Sequence, residues 1–248
     1  MVVLAVLLAS CSSGSAKLMV FLRQGAFSSG VAKVQVTVNA PGDEPVTATL
    51  SGSSSPWTGT LSGLTEGSDR TFNAVALDSA GAQLYTGQAA SVTLANGEDT
   101  LVFITLDDLT PSTAAQSEAP ILTSLIAYPA EVSAGGTVSL RATVRDRNPG
   151  DTVRLEWTAP DGVFGTPANG AITWTAPSSG ASFSLACTAT DSQGLSSGLS
   201  IPLTVREAST STTPTSTCCK HCGSGSKPCG DSCINSSYSC TKPAGCAC

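Results

Sequence analysis

Residues 137–146 read TVSLRATVRD. Val138, Leu140, Ala142 and Val144 occupy every second position, and Ser139, Arg141, Thr143 and Arg145 fall between them. Side chains of a strand point alternately to opposite faces, so this stretch describes a β-strand with one apolar and one polar face. The same period continues downstream. Val153, Leu155 and Trp157 alternate, Ile172 and Trp174 follow, Phe183, Leu185, Cys187 and Ala189 share a face, and Leu199, Ile201, Leu203 and Val205 close the set. Upstream, Leu18, Val20 and Leu22 alternate, as do Val34, Val36 and Val38. Ala48 and Leu50, then Trp57, Gly59 and Leu61, then residues 72–77 and 83–85 follow, and Leu101 and Phe103 share a face at the end. Turn residues separate these runs, with Pro41-Gly42-Asp43 and the hairpin signal Asp78-Ser-Ala-Gly81 among them. No segment carries a 3.6-residue period. The fold class expected is therefore all-β, with short strands and frequent turns that signal sandwiches or barrels.

Composition shifts divide the chain. Residues 107–119, DDLTPSTAAQSEA, and residues 206–217, REASTSTTPTST, are rich in small and polar residues and read as linkers. They leave a sandwich over residues 17–106, a second over 120–205, and a cysteine-rich module over 218–248. The first sandwich resembles bacterial immunoglobulin-like or fibronectin-type domains, on WTGTLSGL at 57–64 and ALDSAG at 76–81. The second resembles bacterial immunoglobulin-like domains of the PKD or cadherin-like kind, on PAEVSAGGTV at 129–138, Glu156-Trp157 and TDSQGL at 190–195. That resemblance puts Trp157 at the core tryptophan and Cys187 at the second cysteine of an inter-sheet bridge. Ala142 stands at the facing position and no cysteine lies between Cys11 and Cys187. Cys187 is thus expected as a buried free thiol.

Eight of the ten cysteines lie in the last segment, CCKHCGSGSKPCGDSCINSSYSCTKPAGCAC. A chain below about 40 residues with almost no core formers needs cross-links or a metal to fold. Cys218, Cys219, Cys222, Cys229, Cys233, Cys240, Cys246 and Cys248 form an even set, whose pairing spacing alone does not assign. Neighbouring Cys218 and Cys219 are expected to take different partners, because a bond between them strains the peptide. The rival is a structural zinc site using Cys219 and Cys222, Cys246 and Cys248, and the single histidine, His221. Redox compartment decides between the two. The segment resembles short cysteine-rich C-termini of bacterial secreted proteins, on KPCGDSCI at 227–234 and GCAC at 245–248. That resemblance implies a module and no activity.

The chain begins MVVLAVLLASCSSGSA. Leu8-Ala-Ser-Cys11 after an apolar run resembles the lipobox of bacterial lipoproteins. The resemblance implies removal of residues 1–10 as a signal peptide, a start clipped short of its positive residues, and a lipid on Cys11. Residues 11–16 would serve as anchor and flexible tether. The apolar run is too short to span a bilayer, where about 20 residues are needed. Serine after Cys11 implies outer-membrane retention by the lipoprotein sorting pattern.

Only 12% of residues are charged and the net charge is −6. With no basic stripe, nucleic acid is not an expected partner. Asp146 and Asp151 in the turn DRNPGD, together with Asp191, could form an oxygen cage for calcium; a plain Asn-Pro-Gly turn is the alternative. No other cofactor is implied. No Gly-x-Ser-x-Gly occurs, and Ser224-Gly-Ser-Lys227 stands without companion motifs, so no catalytic residue is assigned. The expectation is a monomeric, non-enzymatic cell-envelope lipoprotein. Its sandwiches form a stalk and its cysteine-rich head binds a protein or glycan. Two alternatives stay open: the sandwich loops bind and the tail is a structural or sorting tag, or the tail holds zinc.

Overall fold

The structure is a computed structural model that describes residues 13–26, 29–109, 118–168, 170–207, 218–243 and 245–248. Among them there are strands and turns and no helix. The chain divides into two compact units, residues 1–208 and 209–248.

The first unit carries β1 (Ser13–Leu22), β2 (Lys33–Asn39), β3 (Val46–Thr49), β4 (Trp57–Thr65), β5 (Gly67–Leu77), β6 (Gln83–Leu94), β7 (Asp99–Asp108), β8 (Ile121–Tyr128), β9 (Glu131–Ser133), β10 (Thr137–Arg145), β11 (Arg154–Thr158), β12 (Val163–Phe164), β13 (Ala171–Thr175), β14 (Ala181–Thr190) and β15 (Ser196–Arg206). One path of pairing runs β12-β13-β10-β8-β7-β6-β5-β2-β3, with β1 joined to β7 and β4. A second sheet runs β11-β14-β15-β9.

The centre of this unit is β7. It pairs in parallel with β1 from Ser15↔Asp99 to Leu22↔Leu106, and antiparallel with β8 from Leu101↔Ala127 to Ile104↔Ser124. Both of its faces are covered. Val102, Ile104 and Leu106 join a core with Ala16, Leu18, Val20, Val36, Trp57 and Phe72. Leu101 and Phe103 point the other way, into a core with Leu140, Trp174, Leu185, Cys187 and Ile201. This is why DTLVFITLDD reads as a continuous apolar run rather than a clean alternation. The two sandwiches thus share the layer built on β1, β7 and β8.

Four expectations change as a result. Leu101 and Phe103 share a face, but they serve the second core and not the first. The linker expected over 107–119 does not begin at Asp107, because Asp107 and Asp108 end β7 and Asp107 is buried; residues 110–117 lie outside the described residues. The tether expected over 11–16 is strand from Ser13 onward, with Ala16 fully buried. Its small residues fit close approach: a Cβ on Gly14 would lie 3.0 Å from Ala95 O and from Leu94 Cβ. Finally, Trp157 is only half-buried, because β11 is an edge strand. The tryptophan at the centre of the second core is Trp174, fully buried, whose Nε1 donates to Asp161 O at 3.1 Å.

The second unit contains one hairpin, β16 (Ser226–Cys229) with β17 (Ser232–Asn235).

Candidate functional site

In the second unit all eight cysteines pair. The bridges are Cys218–Cys248, Cys219–Cys246, Cys222–Cys233 and Cys229–Cys240, with Cα–Cα separations of 5.4–5.7 Å. Cys218 and Cys219 take different partners, as the strain argument requires. Two bridges tie the start of the module to its end, and the backbone reinforces them: Cys219 N donates to Cys246 O at 3.0 Å, Cys222 N to Cys248 O at 2.6 Å and Cys248 N to Lys220 O at 3.0 Å. Asp231 Oδ1 accepts from Cys246 N at 3.1 Å, so this carboxylate holds the closing turn. His221 Nδ1 lies 3.4 Å from Cys218 Sγ and 3.5 Å from Cys248 Sγ. The sulfurs the zinc reading needs, those of Cys219, Cys222, Cys246 and Cys248, all belong to disulfides and are not thiolates. Among the described residues of the module only Cys229 is buried, and Tyr238 is 68% exposed. About two thirds of the module's described residues are exposed, and most of the rest are half-buried.

In the first unit, the other expected residues converge at one end of the second sandwich. Asp146 follows β10, Asp151 lies just before β11, and Asp191 opens the β14–β15 hairpin. One carboxylate oxygen from each lies within 4.8 Å of the others. The hairpin turn explains how Asp191 is held. Its Oδ1 accepts from Gln193 N at 2.9 Å and Leu195 N at 2.8 Å, and Gly194 takes φ +88°. Asp78 does the same in the first sandwich: its Oδ1 accepts from Ala80 N and Ala82 N, and Gly81 takes φ +85°. Asp side chains favour such turns and glycine accepts the left-handed backbone.

Beside the acidic cluster is a charge network that the sequence reading missed. Arg147, with 5% of its side chain exposed, contacts Asp107, Asp108 and Glu118; Arg145 contacts Asp107; Arg23 reaches Asp107 at 3.1 Å and Asp108 at 2.7 Å. Burial pushes the Asp108 carboxyl up, and the hydrogen bonds from Arg23 and Arg147 outweigh it, leaving its pKa below the ordinary value. Burial also works against the charge of Arg147, but Asp108, Asp107 and Glu118 raise its pKa overall. The only hint in the sequence is the pairing of Asp107-Asp108 with Arg145 and Arg147, and it becomes visible once β8 places β10 two strands from β7.

Cys187 is a buried free thiol, opposite Trp157 and Leu199 in its sheet, and burial pushes its pKa up to about 12. Thiolate chemistry is closed to it at neutral pH. Cys11 and the expected signal peptide lie outside the described residues.

A family model described as a putative Ig domain (He_PIG) matches residues 104–206. The second sandwich is immunoglobulin-like. The match starts inside β7, at the strand that the two sandwiches share. Among solved structures, the fibronectin(III)-like modules of Clostridium thermocellum CbhA are similar at 15% identity and a TM-score of 0.28, covering 74% of this chain and 82% of that one. Among curated proteins none matches.

Proposed function

We propose that this chain is an exported, non-enzymatic surface protein whose disulfide-rich module, residues 218–248, is presented to bind a protein or glycan. The observation that carries the reading is the module itself. Four bridges hold about thirty residues in one conformation while burying a single side chain. Such bridges persist in oxidising compartments, which supports export. Cross-linked loops lose little further freedom on binding, and the exposed ring of Tyr238 supplies an aromatic contact of the kind recognition surfaces favour. Immunoglobulin-like sandwiches suit the supporting role.

The lipobox-like Leu8-Ala-Ser-Cys11 supports anchoring by lipid at Cys11 to the outer membrane or cell surface. Ser13 is already in strand, so a lipidated Cys11 would hold the first sandwich close to the bilayer. Two or more acyl chains, at about 0.8 kcal/mol per buried CH₂, make such an anchor stable. Replacing Cys11 with alanine should release the protein from membranes; a variant that stays with membranes through a salt wash defeats the anchor.

Binding is tested with a glycan and surface-protein array, comparing the full chain with one ending at Glu207. Loss of all signals in the shorter chain supports the module as the binding surface. Retained signals transfer binding to the sandwiches. One observation favours that second reading: a cavity of about 680 Å³ in the first unit, lined by Phe21, Arg23, Thr105, Glu118, Leu122 and Leu199 among others. It mixes apolar walls with both signs of charge, as small-ligand sites do.

A further inference from the structure

We propose that Asp146, Asp151 and Asp191 form a calcium site that ties the two sheets of the second sandwich together at one end. The three donors come from different sides of that sandwich. Asp146 leaves β10, in the layer shared with β7 and β8, whereas Asp191 leaves β14 and Asp151 leads into β11, both in the opposite sheet. An ion bound by all three bridges the sheets where no hydrogen-bond ladder can.

The carboxylates are unsatisfied as they stand. Asp191 is 6% exposed, and its Oδ1 is committed to Gln193 N and Leu195 N, while its buried Oδ2 has no partner. Asp146 repeats the arrangement: Oδ1 accepts from Asn148 N at 2.8 Å and the buried Oδ2 is unpartnered. Asp151 Oδ1 accepts from Ser192 Oγ at 2.8 Å, which fixes that carboxylate against the hairpin of Asp191. Buried carboxylate oxygens without a partner are costly, and a bound cation satisfies them. The arginines nearby do not: Arg23, Arg145 and Arg147 engage Asp107, Asp108 and Glu118.

The donor set identifies the ion class. All donors are oxygens, so a hard cation is required rather than zinc. The oxygens lie within 4.8 Å of one another, the span of ligands across an ion that binds them at about 2.4 Å, as calcium does. Magnesium demands a tighter, near-regular octahedron and gives up its water reluctantly. Three carboxylates on two short turns fit the irregular, partly hydrated shell that calcium accepts. The twin turn at Asp78 sharpens the assignment, because among the described residues it belongs to no group of three side chains able to share an ion. The backbone motif alone therefore makes no site; convergence with Asp146 and Asp151 does.

The experiment uses the full chain, stripped with chelator and titrated with calcium chloride by calorimetry, alongside melting curves. One ion per chain is expected, with a dissociation constant on the order of 10⁻⁴–10⁻³ M, the range of extracellular modules. At 10 mM calcium the melting temperature of the sandwiches should rise by roughly 3–10 °C. Asp191→Asn and Asp151→Asn should each abolish the rise, while Asp78→Asn should keep it. If Asp191→Asn fails to fold, Asp151→Asn on the half-exposed turn decides alone. No saturable heat up to 10 mM calcium, or a rise that survives Asp151→Asn, overturns the site. An equal rise with magnesium overturns the choice of calcium.

Discussion

The two compact units solve the same problem by opposite means. The described residues of the first unit order their backbone against two apolar cores on either face of β7, with no disulfide among them. Among the described residues of 218–248 one side chain is buried, and four bridges hold the module. Backbone ordering costs about 1–2 kcal/mol per residue in either case. Apolar burial offsets it only where layers can stack, whereas a bridge acts mainly by restricting the unfolded chain. A bridged module can therefore leave all but one of its described side chains at least partly exposed, and a sandwich cannot. That difference makes the module suited to recognition and the sandwiches suited to support.

The strongest way to break this comparison is reduction. Each bridge of a small domain contributes about 2–5 kcal/mol. Full reduction should leave residues 218–248 unfolded and open to protease, while residues 13–207 keep their melting temperature. Denatured without reductant, the lipidated protein should show one free thiol, Cys187; reduced, it should show nine. A loss of sandwich stability on reduction would mean that the first unit depends on the bridges.

Core substitutions probe the other side. Phe103→Ala and Ile104→Ala remove neighbours on β7 that face different cores. Each should cost about 2–5 kcal/mol in a denaturant titration. Because β7 is common to both sandwiches, each should lower one single transition. Two transitions, of which each variant moves only one, would show that the sandwiches melt separately. The bridges of residues 218–248 should form in both variants.

Cys187 gives a smaller effect. Cys187→Ser places a hydroxyl among Leu185, Leu199 and Ile201 without a ready partner and should cost about 1–3 kcal/mol. Native protein should resist thiol reagents until it unfolds, since the thiol is fully buried and its pKa is pushed up to about 12. Rapid labelling of the folded chain would place the thiol at the surface.

Strand identity and the cysteine-rich module were legible in the sequence because both leave local signatures. Alternation in TVSLRATVRD and the even set of tail cysteines needs no knowledge of neighbours. The hairpin at Asp78 was legible for the same reason. What the sequence hid were the relations between distant strands. Leu101 and Phe103 alternate correctly, but period two does not say which core a face meets. Ser13 to Ala16 have too little side chain to show a period, and they form strand because β7 and β4 pair with them. Trp157 and Trp174 alternate equally well, and only sheet position separates the edge residue from the buried one. The three carboxylates could be named from their turns, whereas their convergence within 4.8 Å depends on the packing of two sheets.

The smallest expected effect comes from acid, and it too separates the units. Lys17 hydrogen-bonds Asp99 at 2.6 Å; that bond, with one from Ser15, lowers the Asp99 pKa against the opposing effect of burial. Asp108 is likewise held below its ordinary value. An unfolded aspartate has a pKa of about 3.9. As the pH falls, the unfolded chain binds these protons first, so stability declines with falling pH. The contribution is whole above about pH 5, and it is gone once the pH passes below the lowered folded values. Disulfides do not titrate, so the bridges of residues 218–248 should persist throughout. The Lys17–Asp99 pair is part-exposed, with 44% and 32% of the side chains accessible, and should be worth about 0–1 kcal/mol at neutral pH. Lys17→Met should therefore lower the melting temperature slightly at pH 7 and converge on the parent protein once the pH falls below the lowered folded pKa of Asp99. A constant difference between the two across that range would show that Lys17 acts through packing and not through the charge of Asp99.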